Sequence, residues 1–194
     1  MRLALCALLV TLTAPLAAQD AKSAEAAANA AAAAKLSGRW HLKPEASTRP
    51  AAPPEPDTRS GRGRENEVAP ESVRQMRAMT RETGDAPDPV TIVATVTMLT
   101  VTAPDGVPRR FTLNARKEKV DLIFADANVV SAWNAGALSQ EITTGHYKLE
   151  RTYQVSIDGK QLVVTTRLSG GPPDSALART VLLPTRLVYE KVSY

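Results

Sequence analysis

From residue 90 to the C-terminus, apolar side chains recur at every second position, and this period restricts the fold more than any other feature. Val90, Ile92, Ala94, Val96 and Met98 share one parity, whereas Leu99 and Val101 share the other. Successive side chains of an extended strand point to opposite faces, so such alternation marks half-buried strands and not an amphipathic helix. The parity flip calls for a bulge or tight turn within 97–99, because otherwise one apolar set would face water. Phe111 and Leu113 alternate after the turn Pro104-Asp105-Gly106. Val120, Leu122 and Phe124 follow, then Val129 and Trp133, a turn at Asn134-Ala135-Gly136, and Leu138 and Ile142. The strongest hairpin signal joins 147–157 to 161–169 through Asp158-Gly159, a pair suited to a tight turn with positive φ. A last strand covers about 186–192, and an early one covers 36–43. Strands joined by hairpin-length turns exclude parallel βαβ units, which need a helix in each crossover. The chain is expected to be all-β: an antiparallel up-and-down meander closing into a barrel of about eight strands.

The N-terminal third contributes little to that core. Arg2, the apolar stretch 3–13 and the small residues Pro15-Leu16-Ala17-Ala18 read as a secretory signal over 1–18, too short to span a bilayer. Export to the periplasm or outside the cell is the expected localisation. The single cysteine, Cys6, lies inside that stretch, so the mature chain would hold no disulfide, thiolate metal site or cysteine nucleophile. Formal charge is +4, and +3 without Arg2. That surplus is too small to indicate nucleic acid, and no later apolar run reaches the roughly 20 residues of a membrane span. Residues 19–35 form an alanine-rich spacer, either a fraying helix or a disordered tail, with high helix propensity but no apolar stripe to bury. A single domain is expected over 36–194. Within it, 44–70 is a Pro/Arg-rich insertion whose Gly61-Arg62-Gly63-Arg64 charge is offset by Glu55, Asp57, Glu65 and Glu67. One short helix, 70–80, precedes the second strand, with Met76 and Met79 on one side to lie over the core or the barrel mouth.

Gly38, Trp40 and Leu42 share one face of the first strand, where a glycine two residues before the indole permits close backbone approach. The run 37–47, the turn 104–106, the hairpin 155–162 and the ending 187–191 together resemble exported bacterial lipocalin-like β-barrel proteins that begin with Gly-x-Trp-x-Leu. The resemblance implies an up-and-down barrel without established chemistry, related to binders of small apolar molecules. It also implies that an arginine from a late strand covers the tryptophan, and Arg186 is the matching position. Gly38, Trp40, Arg186, Asp158 and Gly159 are thus the expected structural residues.

Arg151 is the candidate binding residue, with Tyr147 and Tyr153 of its own parity. If that face points inward, its guanidinium must meet a carboxylate or an anionic ligand, since an unpaired buried charge costs several kcal/mol. Glu141 and Glu190 are possible internal partners. Alternatively the strand lies near an edge, or the arginine reaches the barrel rim. His41 and His146 are isolated, and no nucleophile elbow or phosphate-binding glycine loop occurs, so no metal, cofactor or catalytic residue is assigned. The expected function is a non-catalytic, monomeric, exported carrier of a small apolar or anionic ligand. The alternatives are a solid-core module that binds an envelope protein or inhibits an enzyme, and a barrel isomerase or hydrolase.

Overall fold

The computed structural model describes residues 16–49, 71–123, 125–134, 136–171 and 183–192. Phe124 and most of the signal and proline-rich segments lie outside them. Among the described residues ten strands form one antiparallel sheet: β1 Gly38–Leu42, β2 Val90–Ala94, β3 Met98–Thr102, β4 Pro108–Thr112, β5 Lys117–Asp121, β6 Asp126–Asn134, β7 Ala137–Thr144, β8 Tyr147–Val155, β9 Gln161–Gly170 and β10 Thr185–Lys191. Each strand pairs with its successor except β4 with β5, and β1 also pairs with β10. The expected meander is therefore the observed fold, a barrel with one seam between β4 and β5. The two margins meet there through side chains, as where the Thr112 N–H donates to Glu118 Oε1 at 2.9 Å.

The strand count exceeds the expected eight because the parity flip is a hairpin. The Thr95 N–H donates to the Met98 carbonyl, and Thr95 Oγ1 accepts from the N–H groups of Thr97 and Met98, so the chain reverses within three residues. The strand expected around Val120 and Leu122 begins earlier, as the margin strand Lys117–Asp121, whose only aliphatic side chain is Val120.

Alternating inward residues build the core, including Ile92, Leu99, Val129, Leu138, Ile142, Leu149 and Leu162, each at most 2% exposed. Two helices close the ends. The long helix α1, Leu16–Leu36, packs its last turn beneath the barrel, burying Ala33 and Leu36. The spacer thus ends in an ordered helix that includes Leu36, which had been expected in the first strand. One apolar turn suffices for this docking, so no stripe along the helix is needed. Ser37 Oγ secures it, donating to the Ala33 carbonyl at 3.0 Å and accepting the Ala94 N–H at 2.9 Å. Helix α2, Glu71–Gly84, covers the other end and buries Ala78, Met79 and Glu82. No helix of the described residues is long and apolar enough to cross a membrane.

Trp40 is fully buried at the α1 end, and its Nε1 donates to the Leu36 carbonyl at 3.0 Å. Its cationic cover is Lys191 and not the expected Arg186: the Lys191 Nζ lies 5.1 Å from the ring centroid and donates to the Lys35 carbonyl. Strand register explains the exchange. Lys191 is the cross-strand partner of Trp40, whereas Arg186, five residues earlier, has the opposite parity and donates outward to the Ala46 carbonyl at 3.2 Å. Gly38 leaves room for the lysine chain, since a Cβ there would stand 2.6 Å from Lys191 Cε.

Candidate functional site

The site begins with one row of the sheet. Ser131 on β6 is in register with Gln140 on β7, Gln140 with Arg151 on β8, Arg151 with Thr166 on β9, and Thr166 with Thr185 on β10. In-register neighbours share a face, so five adjacent strands present a polar belt to the interior. Ser131, Gln140, Thr166 and Thr185 are all buried. Gln140 Nε2 donates to Ser131 Oγ at 3.1 Å, and the Tyr153 hydroxyl, two residues beyond Arg151, donates to Gln140 Oε1 at 3.1 Å.

Arg151 points inward; its side chain is 13% exposed. Its partner comes from α2 and not from Glu141 or Glu190, which face outward toward Lys148 and Lys43. The parity of β7 and β10 sets those two acids on the solvent face. Arg151 Nη2 donates to the main-chain carbonyl of Glu82 at 2.7 Å and lies 3.3 Å from Glu82 Oε2. Arg109 Nη1, from β4, donates to Glu82 Oε1 at 2.9 Å. One buried carboxylate is thus bracketed by two guanidiniums, each on its own oxygen.

The electrostatics follow from this bracket. Burial pushes the Glu82 carboxyl upward, but the Arg151 and Arg109 charges outweigh it and hold the group below the ordinary glutamate value. Burial likewise opposes the Arg151 charge, and Tyr153 and Glu82 more than offset it. Tyr189, buried on β10, is raised far above an ordinary phenol, chiefly by desolvation, and so remains neutral.

These groups border an interior cavity of about 80 Å³. Glu82, Asp85, Arg109, Arg151, Tyr153 and Thr166 supply its polar wall; Val90, Ile92, Phe111, Leu162, Val164 and Leu187 are among its apolar lining. A second space of about 220 Å³ lies at the β4–β5 seam and shares Glu82, Arg109 and Phe111 with the first. Among the residues assigned from sequence, Arg151 and Tyr153 meet in the cavity. Tyr147 does not: it is buried at the start of β8, pairs with Gly170 and is absent from the cavity wall. Asp158 and Gly159 form the β8–β9 turn, with Gly159 at φ 74° and Asp158 Oδ1 accepting the Lys160 N–H.

Glu82, Arg109 and Tyr189 were not assigned from sequence. Arg109 and Tyr189 carried a signal, sharing parity with inward Phe111 and Leu187 respectively. Glu82 carried none: it lies beyond the helix expected over 70–80, and the observed helix runs on to Gly84. Among the described residues no three His, Cys, Asp or Glu side chains cluster as metal ligands.

Fold and site define a barrel with an arginine-bearing, amphipathic interior. No protein-family model matches the chain, and no curated protein matches it. Solved structures similar to it include a secretory abundant heat soluble protein of Ramazzottius varieornatus, at 10% identity over 81% of this chain and 96% of that one, TM-score 0.46. Fatty-acid-binding protein 1 of Echinococcus granulosus aligns at 12% identity over 82% and 99%, TM-score 0.47. Zebrafish ileal bile acid-binding protein in complex with cholic acid aligns at 19% over 81% and 99%, TM-score 0.41.

Proposed function

We propose that the protein is an exported, non-catalytic carrier of a small amphiphile with an anionic head group. The observation that carries this reading is Arg151 on a buried polar belt, with an aliphatic wall beside it. The Arg151 and Arg109 guanidiniums converge on a corner that already holds one carboxylate, that of Glu82, so its geometry suits an anionic head group, and the aliphatic side chains beside it suit an alkyl or alicyclic body. Export, to the periplasm or beyond, rests on the signal pattern of residues 1–18, and the Gly38-x-Trp40-x-Leu42 strand supports kinship with exported lipocalin-like barrels.

The test is calorimetric titration of dodecanoate and dodecanol into the full chain and its Arg151→Met variant. Hydrogen bonds to charged groups contribute about 1.5–3 kcal/mol, so the variant should bind dodecanoate roughly 10- to 150-fold more weakly and dodecanol unchanged. Equal dodecanoate affinity in both proteins would remove the reading.

The size of the cavity favours a second reading. At about 80 Å³ it is smaller than the roughly 300–1,000 Å³ of drug-sized ligand sites, as in a solid-core module that binds an envelope protein through its outer face. Native mass spectrometry separates the two: a carrier retains a small hydrophobic compound, and a solid module retains none.

A further inference from the structure

The anion in the cavity's cationic corner belongs to the chain itself. Resting on the carrier reading, we propose that Glu82 is the barrel's selectivity element, an internal counter-anion that an incoming anionic head group replaces, joining the inner cavity to the space at the β4–β5 seam.

Three features of its placement lead there. Glu82 lies in the last turn of α2, next to the carbonyl end of the helix dipole, where a carboxylate is intrinsically disfavoured. It is buried there nonetheless, with a side chain only 7% exposed. What holds it is the pair of guanidiniums, Arg109 on Oε1 and Arg151 on Oε2, the arrangement a free carboxylate would adopt in the same corner. Arg151 also keeps the Glu82 main-chain carbonyl, so it retains one partner when the carboxylate leaves.

Position supplies the second half of the inference. Glu82, Arg109 and Phe111 line both the inner cavity and the space at the β4–β5 seam, so together they are the partition between them. Spaces of about 80 and about 220 Å³ would merge into one near 300 Å³, at the threshold of an ordinary small-ligand site. Exchanging one carboxylate for another leaves the charge balance of the corner unchanged. A neutral ligand replacing the carboxylate would leave the buried Arg151 with the Glu82 carbonyl and no counter-charge, which selects for a negative head group.

The experiment compares dodecyl sulfate, dodecanoate and dodecanol binding to the wild-type chain, Glu82→Gln and Glu82→Asp, below the critical micelle concentrations and at a temperature where circular dichroism shows each protein folded. With its competitor neutralised, Glu82→Gln should bind both anions at least 10-fold more tightly, with dodecanol changed less than 2-fold. Glu82→Asp keeps the charge but withdraws it by one methylene, so it should fall between the two and carries the test if the glutamine variant does not fold. An anion-to-alcohol affinity ratio that stays constant or falls across the series would overturn the proposal. If the wild type binds anions through Arg151 and that ratio does not move, only the role of Glu82 is lost. If no probe binds any of the proteins, the carrier reading fails and this inference fails with it.

Discussion

Removing both charges of the Glu82–Arg151 contact together should destabilise the barrel by clearly less than the two single removals added. In Arg151→Met the buried carboxylate keeps only Arg109, whose side chain is 39% exposed, and the Glu82 main-chain carbonyl loses a donor. Leaving a buried charge short of its partner costs about 3–5 kcal/mol, and the surviving Arg109 contact sets the expectation near about 3. Glu82→Gln leaves Arg151 its bond to the carbonyl of residue 82, and Arg109 can turn to water, so about 2 kcal/mol is expected. The double variant has no uncompensated charge at this contact and should cost about 2 kcal/mol less than the sum of the singles, a coupling within the range of touching residues. At about 2–4 °C per kcal/mol for a chain of this length, Arg151→Met should melt roughly 6–12 °C below wild type. Thermal and urea unfolding followed by circular dichroism measure all four corners of the cycle. If the singles add to the double within about 0.5 kcal/mol, the two side chains are not coupled and the account of the site is wrong.

Other positions give independent checks. Trp40→Ala removes a fully buried indole, its hydrogen bond to Leu36 and the seat of Lys191, and should cost about 3–5 kcal/mol in urea unfolding; a loss under about 1 would show that α1 does not close the barrel. Gly170 sits at φ 83°, where a Cβ would stand 2.2 Å from the His146 carbonyl oxygen, so Gly170→Ala should destabilise by at least about 1–3 kcal/mol, whereas Gly159→Ala, with open space around it, should cost less. Because Glu82 is held below its unfolded value, its contribution is present above that value, near pH 4.5, and is lost as pH falls through the folded value. Urea midpoints should therefore drop on acidification below about pH 5, and Glu82→Gln should show a shallower drop than wild type.

Much of the barrel was readable in residue parity. Alternation is a local property, and it located the strands, the reversal near residue 97 and the Asp158-Gly159 hairpin. The inward face of β8, with Arg151 and Tyr153, was readable for the same reason. What parity does not contain is register between distant segments. Lys191, and not Arg186, meets Trp40 because β1 pairs with β10 at that offset, a non-local fact. Nor does it contain the placement of α2, which delivers Glu82 to Arg151 across 69 residues of chain. Alanine composition failed differently: among the described side chains of α1 the buried apolar ones are Ala33 and Leu36, both in its last turn, so a stripe-based criterion does not register the helix.

The most direct test of an anion-binding interior is ¹³C NMR of carboxyl-labelled dodecanoate titrated with pH in the presence of the protein. A head group beside Arg151 and Arg109 should give a bound resonance distinct from the free one, with its titration displaced below that of the free acid, and both features should vanish in Arg151→Met. A bound carboxyl that titrates like the free acid, or one indifferent to Arg151, would contradict the account.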